Sequence, residues 1–286
     1  EQVELYPYAQ LTRKNIPEDL KGFYILHEGF IAVLDGELKE DDYDDIEEKK
    51  IVREADKGWI GITDKYWMTA LIPETGEKFK STFLYQDAYK ANFLLNNPKI
   101  IAPSTTANNE IKIFVAAKEV QTIDAYAEKE NIEKLDLIID WGWFYFFTKP
   151  LFFAVDYLFK LTGNFGIAIV LITIMIRLVF FPLASYSFKS MAKMKALQPE
   201  MARLKDLHKD DKTKLQQAIM ALYKKEQINP ASGCLPVLIQ IPFFFAIYKM
   251  LFISLEMRHQ PFFGWIKDLS ASDPTTIFNL FGLLPF

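Results

Sequence analysis

The chain has 286 residues, and half of them are hydrophobic, including 25 phenylalanines. Its single cysteine, Cys234, excludes an intrachain disulfide, and its three histidines are too scattered to form a Cys/His metal site. The sequence contains no GxSxG, P-loop or GxGxxG motif, so it predicts no catalytic residue, no metal and no cofactor. The net charge of −4 conceals an asymmetry, since residues 1–147 carry −11 and residues 184–230 carry +5. We therefore expect a non-enzymatic protein in which an acidic soluble part is joined to a membrane part.

Residues 1–147 are predicted to form a β domain. Lys80–Tyr85 and Glu110–Val115 mix β-branched and aromatic residues with partial alternation, which is typical of strands. Turn sequences such as Asp35-Gly36 separate segments of this kind. Thr122–Leu135 is predicted to be helical.

Residues 148–163 are predicted to form an amphipathic helix in the membrane interface. Thr148–Thr162 would be about 22 Å long, too short for a hydrocarbon core of about 30 Å. Its charges, Lys149, Asp156 and Lys160, share one stripe of a helix, and the other residues are mainly apolar. The alternative is a helix buried in the β domain.

The first complete membrane span is predicted at residues 164–184. Phe165–Ala184 contains 13 Leu, Ile, Val or Phe residues. Together they favour insertion by about 6 kcal/mol, whereas the single charge, Arg177, opposes it by about 3 kcal/mol. This segment should therefore insert despite its arginine.

A second complete span is predicted at residues 233–255. Its polar residues are Gln240 and Lys249, and the Lys249 side chain is expected to extend to the outer interface. A third apolar run, residues 277–286, is predicted to begin a further span. Because the chain starts without a signal peptide or an initiator region and stops inside this run, we expect it to be a fragment of a longer protein.

The distribution of positive charge predicts the orientation. Residues 185–232 form a short basic segment between two spans, and such segments remain in the cytoplasm. Residues 1–147 and 256–276 are then periplasmic, with the first complete span running inward and the second running outward. The chain is therefore predicted to cross its membrane several times and to carry a large periplasmic domain.

Within residues 185–232 we predict an antiparallel hairpin of two short helices. Apolar residues recur at helical spacing on both sides of the polar turn 208–211, and Pro199 is expected to kink or restart the first arm. Methionine side chains can bind varied apolar segments, but they can also fill the seam between two arms. Both roles are open for the four methionines of the hairpin, which are Met191, Met194, Met201 and Met220.

Arg177 is the most informative residue of the spans. An ionisable residue inside a span is costly and normally faces a protein interior or a water-filled cavity. Thr173 lies one turn earlier on the same face, and Gln240 is at a similar predicted depth in the next span. These three residues are candidates for a polar groove that is open to the cytoplasm. The alternative is that Arg177 extends to the headgroups while the Thr173 hydroxyl bonds to its own helix.

Three strings of the sequence together resemble the YidC family of membrane insertases in its Gram-negative form. They are SMAKMKALQPEMARLK, ALYKKEQINPASGCLPVLIQIPFFFAIYKML and EMRHQPFFGWIKDLSASDPTTIFNLFGLLPF. The stretch INPASGCLPVLIQIPFF is the most specific part. The resemblance is strong from about residue 140 to residue 286, and FYILHEG, DKYW and DWGWFYF extend it into the β region.

The resemblance implies a multidomain α+β membrane protein, with a periplasmic β-sandwich followed by an α-helical transmembrane bundle and a cytoplasmic helical hairpin. It implies an insertase and chaperone for nascent inner-membrane proteins, whose groove arginine falls on Arg177 and whose neighbouring polar positions fall on Thr173 and Gln240. The implied partners are nascent membrane proteins, the lipid bilayer, the Sec translocon, the ribosome and signal-recognition targeting factors; direct DNA binding is not expected. By this resemblance, we expect the family's N-terminal span, the first part of its β domain and most of its last three spans to lie outside the sequence given.

Two other classes of protein fit some of these features. A membrane transporter would also place an arginine in a cavity, but it should show broken helices or internal repeats, which these spans lack. A membrane-anchored periplasmic binding protein would concentrate its chemistry in residues 1–147, where no such concentration is found.

Overall fold

The structure is a computed structural model. It describes residues 2–16, 26–74, 76–209, 211–226, 229, 233, 235–264 and 266–271. The chain divides into two compact units, one of residues 1–143 with 249–258 and one of residues 144–248 with 259–286. The third predicted span, residues 277–286, lies outside the described residues.

The first unit is built on antiparallel sheets. In the described part of the chain, one sheet has the order β11-β7-β6-β3-β4, a second has the order β2-β9-β8-β5, and β1 pairs with β10. This arrangement confirms the predicted β-sandwich followed by helices. The strands are β1 (Val3–Leu5), β2 (Tyr8–Arg13), β3 (Gly29–Leu34), β4 (Glu37–Asp42), β5 (Ile51–Ala55), β6 (Gly58–Thr63), β7 (Trp67–Pro73), β8 (Phe79–Tyr85), β9 (Tyr89–Leu95), β10 (Lys99–Ile101) and β11 (Ile111–Ala117).

The core of this unit lies between the two large sheets and is rich in aromatic rings. Alternate residues of a strand face one side of its sheet, so Phe30 of β3 points inward and its ring lies 4.9 Å from that of Phe83 on β8. Each fully buried phenylalanine side chain contributes about 1.5–3 kcal/mol through removal from water. The Trp59 indole N–H donates to the carbonyl oxygen of Glu133 at 3.1 Å, which ties the five-stranded sheet to the segment that follows β11.

The helices are α1 (Tyr43–Glu48), α2 (Val120–Lys129), α3 (Tyr145–Thr162), α4 (Phe165–Ala196), α5 (Gln198–Leu207), α6 (Lys212–Lys225) and α7 (Leu235–Ile253). Among the residues described, α4 and α7 are the helices long and apolar enough to cross a membrane. Only 11% of the apolar window of α4 and 28% of that of α7 is buried within the structure. The core helix of a soluble protein would bury most of such a window, so the exposure of these two helices suits a lipid environment.

The boundary between α3 and α4 follows from two residues. Gly163 adopts a left-handed conformation with φ +67, which ends α3, and the Asn164 side chain accepts a hydrogen bond from Ile167 N at 3.1 Å, which caps α4. In the C-terminal half of α3, the Lys160 ammonium lies 2.7 Å from Asp156 Oδ2 and forms an ion pair with it. Helix α3 belongs to the second unit, where it packs against α4, and not to the β unit.

Helix α4 continues to Ala196, twelve residues beyond the end predicted at Ala184. The added segment contains no glycine or proline and is rich in lysine, methionine and alanine, which favour a helix. A change from apolar to polar residues therefore does not end the helix. The break comes at Leu197, and α5 starts at Gln198 with Pro199 in its first turn, as predicted.

Candidate functional site

Within the second unit, α4 runs antiparallel to the part of α7 that precedes Lys249. The rings of Phe180 on α4 and Phe243 on α7 lie 5.0 Å apart in an edge-to-face arrangement. Further along α4, the Ser187 hydroxyl donates to the carbonyl oxygen of Gly233, just before α7 begins, at 2.8 Å. The contact that lies later along α4 is made to a residue that lies earlier in the chain, next to the start of α7. The two helices therefore run in opposite directions.

Thr173 and Arg177 lie one turn apart on α4, and both are exposed in the structure. The Thr173 hydroxyl donates to the carbonyl oxygen of Ile169, four residues earlier, at 2.7 Å. This bond satisfies the hydroxyl within its own helix. Thr173 therefore contributes little donor capacity to a groove, but its side-chain oxygen remains an acceptor.

The register of the two helices offsets Gln240 from Arg177. Arg177 precedes Phe180 by three residues, and Gln240 precedes Phe243 by three residues. In antiparallel helices they lie on opposite sides of the aromatic contact, about 9 Å apart along the axis at about 1.5 Å per residue. Thr173, Arg177 and Gln240, all of which the structure describes, are not hydrogen-bonded to one another. Their assignment to one groove stays a prediction.

The hairpin methionines divide into two environments. The Tyr223 hydroxyl lies 3.5 Å from the Met201 sulfur, which places Met201 in the seam between α5 and α6. Met194 is half-buried, with its methyl group near Gly233. Met191 and Met220 expose 40% and 59% of their surface. The structure thus supplies both a seam-filling methionine and exposed methionines that an apolar segment could contact.

A buried ion pair that sequence reasoning missed lies in the first unit. Lys249 is 8% exposed, and its ammonium donates to Asp140 Oδ2 at 2.6 Å. The side chain therefore does not extend to the interface as expected. A lone lysine near the end of an apolar span, together with a lone aspartate in the DWGW string, was the only signal available in the sequence.

Burial shifts the pKa of two further ionisable groups of this unit, Glu256 and Lys118. Glu256 accepts hydrogen bonds from Val120 N at 3.0 Å, at the start of α2, and from the Ser254 hydroxyl at 3.2 Å, while burial raises the pKa of its carboxyl group. Lys118 is 3% exposed, and its ammonium has no hydrogen-bond partner among the described residues. Burial lowers the pKa of Lys118 to about 8, although Asp140 opposes this shift.

Lys118→Met should stabilise the protein at pH 7 by about 1–3 kcal/mol, because it removes a buried ammonium that has no hydrogen-bond partner among the described residues. The pKa of Lys118 is about 8 in the folded protein and 10.5 ordinarily. The free energy of unfolding of the wild type should therefore rise between these two pH values, and its difference from that of the variant should shrink. Thermal unfolding in detergent at pH 7 and at pH 10 measures both effects. Lys112→Met is the matched control, because Lys112 lies on β11, which ends just before Lys118, and its side chain is 42% exposed. A wild type that is the more stable of the two at pH 7 would contradict the prediction.

Two protein families match the chain. Residues 1–154 match the family described as YidC periplasmic domain, and residues 157–285 match the family described as 60Kd inner membrane protein. The two matches meet near the middle of α3. They assign the β-sandwich unit to the periplasmic side of an inner membrane.

Curated relatives cover nearly the whole chain. A protein of Pelagibacter ubique is 59% identical over 281 residues, which are 98% of this chain and 50% of that protein. Proteins of Brucella melitensis and Rickettsia conorii are 51% and 50% identical, over 99% and 98% of this chain and 48% and 51% of their own lengths. Each of these relatives bears the name membrane protein insertase YidC. The chain spans about half the length of the curated relatives it matches.

Proposed function

The chain belongs to the YidC family of membrane protein insertases, and on that premise we propose that it inserts nascent inner-membrane proteins and helps them fold through a hydrophilic groove open to the cytoplasm. One observation carries the proposal. Arg177 lies inside α4, a helix whose apolar window is only 11% buried, and is exposed there. A cation in a lipid-facing helix is costly unless a polar cavity receives it.

The mechanism follows from the cost of moving polar groups through hydrocarbon. A nascent span must carry its polar flank across the bilayer, and a wet groove that reaches into the membrane shortens the apolar part of that path. Arg177 attracts acidic residues of the translocated tail, while Thr173 and Gln240 offer hydrogen bonds. The exposed apolar surfaces of α4 and α7 then let the new helix pass into lipid. No covalent bond changes, so the process needs no catalytic residue and no cofactor.

The same proposal assigns sides and partners. The basic hairpin, residues 185–232, would lie in the cytoplasm, α3 in the membrane interface and residues 256–276 on the periplasmic side. Nascent membrane proteins and the bilayer would be the direct partners. The Sec translocon, the ribosome and signal-recognition targeting factors would act with them, with the ribosome and targeting factors reaching the hairpin from the cytoplasm. The groove is proposed to be part of a bundle that crosses the membrane several times.

The test is insertion into liposomes. The purified protein, at the full length of its gene product, is reconstituted without nucleotide, and a small phage-coat-type substrate is added. We expect the substrate to become protected from protease in proteoliposomes and not in empty liposomes. Protection equal to that of empty liposomes would refute the insertase proposal, and flux of a small solute in its place would favour a transporter.

A further inference from the structure

The Asp140 carboxylate is held by three donors from separate parts of the first unit. Oδ2 accepts from the Lys249 ammonium at 2.6 Å and from the backbone N–H of His27 at 2.8 Å. Oδ1 accepts from the backbone N–H of Gly142 at 3.0 Å. The side chains of Asp140 and Lys249 are only 18% and 10% exposed, so this is a built site and not a surface ion pair.

Gly142 shapes the wall of the site. It has φ +74, a conformation that favours glycine, and a Cβ added there would lie 3.2 Å from Lys249 Cε and 3.4 Å from Lys249 Cγ. The bare backbone of Gly142 therefore packs along the aliphatic stem of Lys249, while its N–H orients the Asp140 carboxylate. The segment Asp140–Gly142 thus contacts both the aliphatic stem and the ammonium group of Lys249.

Lys249 lies on the packed side of α7. Ala246, Met250 and Ile253 are each less than 5% exposed and recur with Lys249 at three- and four-residue spacing, which defines one helix face. Gln240 precedes Lys249 by nine residues, and nine residues at 3.6 per turn place it half a turn away. Whatever holds Lys249 in place therefore also sets the direction that Gln240 faces.

We propose that Asp140 and Lys249 are a positioning pair, which fixes the rotation and depth of α7 and thereby turns Gln240 away from the packed face toward the groove. This inference rests on the proposed function only in the role of Gln240; the positioning itself does not depend on it. A buried pair suits the task because an ammonium that leaves this carboxylate loses its direct charge partner at a site shielded from water, within range of the charges of Glu40 and Lys118, so rotation or sliding of the helix is strongly opposed.

The test separates rotation of α7 from insertion activity. In a Cys234→Ser background, Phe180→Cys and Phe243→Cys place two thiols at the contact between α4 and α7, and oxidative cross-linking reports the register of α7 directly. Cross-linking yield and liposome insertion are measured for Asp140→Asn, for Lys249→Met and for the double variant. Lys160→Met is the matched control, because it removes a lysine from an ion pair in which that lysine is 57% exposed.

We expect Asp140→Asn to lower both readouts by about tenfold, since it removes the carboxylate charge that accepts from the buried Lys249 ammonium at 2.6 Å. Lys249→Met should do less harm, because the backbone N–H groups of His27 and Gly142 still bind the carboxylate. The double variant should recover to within about threefold of the wild type, since neither charge remains, and the control should match the wild type.

Two results would overturn the positioning pair. One is normal cross-linking in Asp140→Asn, and the other is a double variant at least as impaired as Asp140→Asn. If Asp140→Asn fails to accumulate, recovery of accumulation in the double variant supports the pair, and its absence counts against it. If the wild type inserts nothing but cross-linking follows the expected order, the proposed function fails while the positioning pair stands.

Discussion

Arg177→Glu is expected to slow the insertion of substrates with acidic translocated tails by a few hundredfold. The attraction between two unit charges about 10 Å apart, at an effective dielectric constant of about 20, is about 1.7 kcal/mol. Reversal of one charge changes this energy by about twice that amount, and each 1.4 kcal/mol is a factor of about ten in rate. This is the largest effect that a single side chain of α4 should produce.

Two other substitutions of Arg177 should lower the insertion rate by smaller amounts. Arg177→Ala removes the attraction without adding repulsion, so we expect a loss of roughly tenfold to twentyfold for acidic tails and a smaller loss for neutral tails. Arg177→Lys keeps the charge and should keep most of the activity, although it loses the planar fork of arginine. All three variants should accumulate normally, because removing a charge from a span lowers the cost of insertion and Lys or Glu merely replaces one charge with another.

Lys189→Glu is the matched control for the charge reversal. It makes the same change of charge on the same helix, about 18 Å further along α4, and its side chain is exposed. If it impaired acidic-tailed substrates as strongly as Arg177→Glu, a general effect of net charge would explain both. If the Arg177→Glu variant inserted these substrates at the wild-type rate, the groove would act only through its shape and the water it contains. Loss of accumulation in Arg177→Ala would instead make the arginine a structural partner.

Deletion of Met191–Tyr223, with a short linker in its place, is expected to lower insertion by about tenfold, equivalent to about 1.4 kcal/mol of substrate-capture free energy, while the protein stays stable in the membrane. The deletion removes α5, most of α6 and the last six residues of α4 but keeps the hydrogen bond from Ser187 to Gly233. The hairpin buries little beyond its own seam, since Leu222 is the one buried residue of α5 and α6 among those described. Insertion rate and accumulation are measured together.

Point variants separate capture from folding in the hairpin. Met191→Gln and Met220→Gln alter exposed side chains and should weaken cross-linking to a nascent chain without loosening the hairpin. Met201→Gln alters the seam with Tyr223 and should raise the sensitivity of the hairpin to protease instead. Full activity of the deletion variant would make the hairpin dispensable for insertion.

Labelling tests the orientation of the hairpin. A cysteine at Asp206, which is 73% exposed, should react only with reagents that reach the cytoplasm.

The sequence by itself determined that a β domain comes first and that apolar helices follow it. Alternation predicts strands at Lys80–Tyr85 and Glu110–Val115, and β8 and β11 confirm both. The apolar helices α4 and α7 could be predicted as candidate spans for a similar reason: hydrophobicity and run length are properties of neighbouring residues, which the local backbone expresses directly. Arg177 and Gln240 stood out because each is polar in an apolar run.

Only the tertiary structure decided which distant residues meet. Asp140 and Lys249 are 109 residues apart and have no shared periodicity, so their pairing depends on how the chain returns to the β unit after α7 begins. The same holds for Glu256, which caps the start of α2 from 136 residues away. Burial of an ionisable group is paid for by its partners, and partners at such separations are set by the packing of whole elements and not by local pattern.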